Sequence, residues 1–136
     1  MKRRKAREYA LQMLFQLDFG TESPDAAFFS RFWQNLDEPE EIKKFAEELV
    51  KGTSKHIDEL DRLIAENAEN WVLDRMAIVD RNILRGAAYE LVYKEEVPHA
   101  VVINEALEIA KKFSMRESAS FINGILDKIA RIKGRA

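Results

Sequence analysis

The side chains of this 136-residue chain whose types and spacing could do chemistry are two histidines, three carboxylate pairs and a run of five cations. His56 lies in an acidic stretch and His99 follows Pro98, with no HExxH or other paired-ligand spacing that would aim two imidazoles at one metal. Both read as ordinary residues, His56 on the surface and His99 at a helix start. Glu40-Glu41, Glu47-Glu48 and Asp58-Glu59 could serve as metal ligands or acid/base partners, since either task needs converging oxygens. Their alternation with Lys43, Lys44, Lys51 and Lys55 at helical spacing reads instead as a solvated face with (i, i+4) ion pairs. The absence of cysteine excludes disulfides, Cys-zinc sites, iron-sulfur clusters and thiol catalysis. Among 5 glycines there is no phosphate-cradling loop, and no GxSxG nucleophile elbow occurs. The chain therefore reads as a binding protein, with no catalytic residue, metal or cofactor expected.

The cations are the stronger signal. Lys2, Arg3, Arg4, Lys5 and Arg7 give the first seven residues a charge of +5, whereas residues 8–97 carry 10 basic and 20 acidic side chains. Residues 98–136 are basic again, with 7 cations against 4 acids, so the net charge of -2 conceals two basic ends. A phosphate backbone responds to the local patch within a Debye length of roughly 8 Å, not to the total. The opening run resembles the arginine-rich segments that neutralise nucleic-acid phosphates. Lys111, Lys112 and Arg116 surround a polar connection before Phe121. If the first helix lies beside this region, one patch would offer cations together with Phe15 and Phe121 as stacking platforms for unpaired bases, worth roughly 1–3 kcal/mol each. The alternative for both phenylalanines is core packing. Asn104, Glu105 and Asn123 are polar among apolar residues; they would contact RNA, or hydrogen-bond neighbouring helices and fix how these pack.

The elements that must position these residues are helical nearly throughout. Ala6, Ala10, Met13, Leu14 and Leu17 line one face of a first helix that Gly20 can end, and Leu11, Phe15 and Phe19 form a second row, so its apolar arc is wide. Ser23-Pro24 reads as an N-cap followed by proline at the first helical position, opening a short aromatic helix. From Glu40 the row Ile42, Phe45, Leu49, Ile57, Leu60 and Ile64 predicts the longest helix, bent at Gly52 and Thr53. Trp71, Val72 and Leu73 lead to Asp74, a cap for a short turn. Three further helices carry Ile78–Val92, Val102–Phe113 and Phe121–Ala130, the last two separated by polar residues 114–120. No convincing period-two run occurs. With 46% apolar residues the chain can bury a core, and no apolar run approaches the roughly 18–20 residues of a membrane span. The expectation is an all-α single compact domain, residues 1–136, of six or seven helices, with residues 1–7 a basic N-terminal arm and a cytoplasmic address.

Several ordered motifs resemble one known family. Val97-Pro98-His99-Ala100-Val101-Val102-Ile103-Asn104-Glu105-Ala106, then Ala110-Lys111-Lys112-Phe113, then Phe121-Ile122-Asn123-Gly124-Ile125-Leu126-Asp127-Lys128-Ile129 resemble the C-terminal signature of the NusB family of bacterial transcription antitermination factors. Asp80–Arg85 with Tyr89-Glu90-Leu91 is similar to that family's central helix, and Arg3–Glu8 followed by Ala10–Phe15 to its arginine-rich opening. The resemblance covers the whole chain, although the second and third helices match only in character and the family's frequent glycine after Phe113 is missing.

The resemblance implies a NusB-like helical bundle that binds the boxA element of single-stranded RNA together with NusE, a small-subunit ribosomal protein. The pair would help the RNA polymerase antitermination complex read through terminators, notably in ribosomal RNA operons. By motif position, Lys2, Arg3, Arg4, Lys5 and Arg7 would hold phosphates, Phe15 would face RNA, and Phe121 with Asn123 would line the same surface. Glu117 would lie near the RNA and Asp80 on the helix facing NusE. Two other classes stay open: an RNA-binding accessory domain for ribosomal-RNA modification, and a protein-only helical adaptor. A homodimer that hides the arginine-rich surface is a further reading of the free protein. Full use of five cations on a single strand would give a slope of log K against log salt of at most about -3.5. Replacing Arg3, Arg4 and Arg7 together by alanine is expected to weaken RNA binding without unfolding the domain.

Overall fold

Helical periodicity becomes seven α-helices in a computed structural model that describes residues 2–68 and 73–135. They are α1 (Lys2–Phe19), α2 (Ala26–Trp33), α3 (Glu40–Lys55), α4 (Ile57–Glu66), α5 (Ile78–Tyr93), α6 (His99–Phe113) and α7 (Ser118–Ile132), with one 3-10 turn at Leu73–Arg75. No strand occurs among the described residues. Trp71, Val72 and the side chain of Asp74 lie outside them.

Two apolar clusters organise the helices. Ala10, Met13 and Leu14 of α1 pack with Phe28, Phe29 and Trp33 of α2 and Ala46, Leu49 and Val50 of α3. Leu11, from the other side of α1, joins Leu60 and Ile64 of α4, Leu84 and Leu91 of α5, Val102 of α6 and Ile122, Leu126 and Ile129 of α7. This explains the wide apolar arc of α1: it is buried on two sides. Phe15 and Phe19, on its outer side, stay exposed. The central helix α5 touches α1, α3, α4, α6 and α7, and its Tyr89 packs against both clusters.

Three local expectations change. The cap of α2 is Asp25, not Ser23, because its carboxylate accepts the backbone N–H of Phe28 at 2.9 Å. The row from Glu40 to Ile64 is two helices, since His56 leaves helical geometry at φ -110° and ψ 22°. The longest helix is therefore α1, with 18 residues. Gly52 does not mark the break. A Cβ there would stand 2.1 Å from the Tyr89 ring, so glycine lets α3 close on α5.

Candidate nucleic-acid interface

The basic opening is not an arm but the first two turns of α1. Helical geometry sends neighbouring cations in different directions, about 100° apart. Lys2 Nζ reaches Glu41 at 3.4 Å and Lys5 Nζ reaches Glu38 at 2.8 Å, both toward the start of α3. The Arg3 guanidinium lies 5.0 Å from the centroid of the Phe45 ring. Arg4 turns the other way and grips Glu105 of α6, with Nη2 donating to Oε2 at 2.6 Å and Nε to Oε1 at 3.1 Å. Arg7 points inward and donates from Nε and Nη2 to Glu90 of α5 at 2.9 and 2.8 Å.

Arg7 thus departs from the expected phosphate-holding role: it is buried, and both hydrogen-bonding edges used here end on a buried carboxylate. Removing it would strand Glu90 in the interior, a change that typically costs about 3–5 kcal/mol. Alanine at Arg3, Arg4 and Arg7 together should therefore also destabilise the fold, through Arg7, contrary to the sequence-based expectation.

These pairs shape the electrostatics of the surface. Hydrogen bonding from Arg4, with the added charge of Arg7, holds the Glu105 carboxyl below the usual carboxylate range against an opposing desolvation. Glu38 is likewise held low, first by Lys5 and then by the hydroxyl of Tyr9. Desolvation, followed by that same hydrogen bond, pushes the Tyr9 phenol up to about 12. Of the two polar residues set among apolar ones in α6, Asn104 is exposed and Glu105 is buried, where it binds neighbouring helices together.

At the far end of α6 the structure brings a second group of cations to α1. Lys112 Nζ lies 2.9 Å from Glu8 Oε1, and Lys111 Nζ lies 2.9 Å from Glu108 Oε2. Arg4 with Glu105 and Glu8 with Lys112 bridge α1 to α6 through long side chains, although the two helices do not pack closely against each other. The juxtaposition of the two basic groups thus holds for Arg4, Lys111 and Lys112, whereas Lys2, Arg3 and Lys5 turn toward α3. Past α6, Met115, Arg116 and Glu117 are exposed in the connection to α7, as are Asn123 and Gly124 on α7 itself. An added Cβ at Gly124 meets nothing within 4 Å, so this glycine serves no close helix contact. Phe121 is half-buried against the α4–α7 cluster, which leaves part of its ring outside. Phe15 is 36% exposed and stacks on Phe19, which is 75% exposed, with ring centroids 6.0 Å apart.

Asp80 does not present its carboxylate to a partner. It is buried at the start of α5, where one oxygen accepts from Ser114 and the other from Ser118 Oγ at 2.8 Å. The two serines bond each other at 3.0 Å. This triangle ties the α6–α7 connection to α5 and starts α7 at Ser118, earlier than the apolar pattern implies. Asp80 therefore positions the exposed residues 115–117.

Sequence reasoning also missed a partly buried ionic junction. Asp18 of α1 receives Arg81 Nη2 at 2.8 Å, Asn82 Nδ2 at 3.0 Å and Arg85 Nη1 at 3.0 Å, while Arg85 also holds Asp61 of α4. Desolvation would raise the Asp18 carboxyl, but the hydrogen bonds from Arg81 and Asn82 outweigh it and hold the group low. The available signal was Arg81, Asn82 and Arg85 set into an otherwise apolar helix. Among the described residues no group of three or more His, Asp or Glu side chains could hold a metal ion. The apolar cavity between α1, α5 and α6 measures about 40 Å3, room for a water or two and not for an organic cofactor.

Comparison with known proteins agrees with this architecture. The sequence profile of the NusB family matches residues 4–131. The transcription antitermination protein NusB of Thermodesulfovibrio yellowstonii is 46% identical over 140 aligned positions, covering 96% of this chain and 93% of the relative. That of Koribacter versatilis is 50% identical over 129 positions, covering 95% and 88%. Among solved structures, NusB of T. maritima superposes with a TM-score of 0.83 at 37% identity, over 95% of this chain and 90% of the other. A NusB chain solved as antitermination factors NusB and NusE in complex with dsRNA superposes with a TM-score of 0.84 at 26% identity, over 96% and 97%. On a family match that spans nearly all of its length and on relatives with nearly half of their residues in common, this chain belongs to the NusB family.

Proposed function

We propose that this chain is a transcription antitermination factor that binds boxA-containing RNA together with NusE and helps RNA polymerase read through terminators. It acts by binding and carries out no reaction. The observation that carries this reading is the match, over nearly the full length of both chains, to a NusB solved with NusE and RNA. The surface bordered by α1 and by the α6–α7 connection supplies suitable chemistry. Lys111 and Arg116 there, with Lys2 and Arg3 on the α3 side of α1, provide cations for phosphates, and Phe15 and Phe121 provide rings on which unpaired bases can stack. Asn123 and Glu117 offer hydrogen-bonding groups at its edge. Arg4 and Arg7 contribute by fixing the surface, through Glu105 and Glu90, rather than by carrying phosphate.

We take residues 1–136 as a single RNA-binding domain working in the cytoplasm, where transcription takes place. No helix among the described residues is long and apolar enough to cross a membrane. The test is fluorescence anisotropy with boxA-containing and scrambled RNA, each with and without NusE. Preference for boxA that grows with NusE is expected. Equal binding of both RNAs in both conditions, with no effect of NusE, would overturn the reading.

A further inference from the structure

We propose that Glu8 is a specificity-determining residue, which masks Lys112 across the α1–α6 seam and so withholds one cation from sequence-independent contact with RNA phosphate. The inference rests on the RNA-binding reading above and adds to it a reason why so basic a surface carries so many acids. Three carboxylates, Glu8, Glu105 and Glu108, converge on the cations of this seam. Their joint action on one point is visible at Arg4, whose guanidinium is stabilised by hydrogen bonding to Glu105 and by the charges of Glu105, Glu108 and Glu8.

The three pairs differ in kind. Arg4 with Glu105 is a multiply bonded clamp on a buried carboxylate, so its task is structural. Lys111 with Glu108 is an (i, i+3) pair on a single helix, of the sort that forms on any solvated helix face. Lys112 with Glu8 is neither. It joins residues 104 positions apart, on α1 and α6, through a single hydrogen bond. Its partners are unequal: the Glu8 side chain is only 16% exposed, held against the seam, while Lys112 is 60% exposed and faces outward. A carboxylate fixed in this way occupies the place beside the ammonium that a phosphate oxygen would take.

The consequence follows from counterion release. A lysine neutralised by dissolved anions releases them when a phosphate arrives, and this release drives sequence-independent affinity. A lysine neutralised by a tethered carboxylate releases nothing, and the phosphate must also approach that carboxylate. Glu8 thus trims the part of the affinity that every RNA shares, and leaves stacking and base-edge contacts to distinguish one RNA from another.

The test is a double-mutant cycle on the full chain with Glu8→Gln, Lys112→Ala and the double variant, using scrambled and boxA-containing single-stranded RNA across a salt series. Glu8→Gln should bind scrambled RNA about two- to fivefold more tightly, the scale of one exposed ion pair. Its salt slope should steepen by about 0.7, one phosphate contact. Lys112→Ala alone should leave the slope as in the wild type, and in that background Glu8→Gln should change nothing. Thermal melting of the same variants confirms that all are folded. An unchanged slope in Glu8→Gln, or an effect that persists without Lys112, overturns the masking role. Either result leaves the antitermination reading intact, which instead fails if the wild-type chain does not prefer boxA to scrambled RNA.

Discussion

Arg7 and Glu90 meet two-on-two in the interior, with Nε to Oε2 at 2.9 Å and Nη2 to Oε1 at 2.8 Å, and their side chains are 8% and 4% exposed. A pair so placed binds α1 to α5. It gains little over apolar residues of similar volume, but breaking it from one side leaves a buried charge. Arg7→Ala should therefore lower unfolding stability by about 3–5 kcal/mol, measured by denaturant melting. Arg7→Met combined with Glu90→Leu should recover most of that loss. A small loss in the single variant would return Arg7 to the surface.

Gly52 makes a packing prediction of the opposite kind. Its missing Cβ leaves the space that the Tyr89 ring fills, and a Cβ would stand 2.1–2.4 Å from two ring carbons and the phenol oxygen. Gly52→Ala should destabilise by about 1–3 kcal/mol, although alanine favours helix in general. Adding Tyr89→Ala should cost less than the sum of the two single changes, because the clash goes with the ring. Strict additivity in the thermal melts would disprove the contact.

These two cases show where the sequence was informative and where it was not. Helix number and most boundaries were legible because apolar residues recur at three- and four-residue steps, a local signal. The break at His56 was not, since the apolar row keeps its phase across it and only the backbone turns. At the interface, composition identified the cations but not their directions. Arg3 and Arg7 are equivalent in a charge count and both approach the Phe45 ring, yet Arg3 stays exposed and Arg7 is spent on Glu90. That difference depends on acids 80 to 100 residues away, which no local pattern reveals. Asp80 is similar: its family position directs attention to a partner, while its actual neighbours are two serines in the following connection.

Asp80→Ala should accordingly act on residues 114–118. It leaves the buried Ser118 hydroxyl short of an acceptor, a loss of about 1–3 kcal/mol. Hydrogen exchange should accelerate at the start of α7 while α3 is unaffected. If Asp80 served a partner directly, the variant would exchange like the wild type and lose only the partner.

The low-lying carboxyls give a pH dependence with a definite sign. Glu105, Glu38 and Asp18 are all held below their ordinary values, 4.5 for the two glutamates and 3.8 for the aspartate. A carboxyl with a lower value in the folded than in the unfolded chain stabilises the fold above its unfolded value, and loses that contribution as pH falls through the folded value. The melting temperature should be flat near neutrality and fall below about pH 4.5. Glu105→Gln should start lower and fall less steeply. An identical acid limb in that variant would show that the Arg4 clamp contributes nothing to it.

The salt dependence of RNA binding tests how many opening cations are available. Arg7 is buried and Arg4 is held by three hydrogen bonds to a carboxylate that is itself buried. Lys2 also pairs with an acid, but both partners are exposed and singly bonded, so a phosphate can displace Glu41, whereas Lys5, like Lys112, is held by a carboxylate that is itself little exposed. Two cations, Lys2 and Arg3, then remain for phosphate, and their share of the slope is about -1.4 rather than about -3.5. Replacing these two by alanine should flatten the slope of log K against log salt by about 1.4. The Arg7→Met, Glu90→Leu double variant should leave it unchanged, since it removes a cation that no phosphate reaches. Flattening by about 0.7 in that variant, the value of one phosphate, would place Arg7 on the RNA.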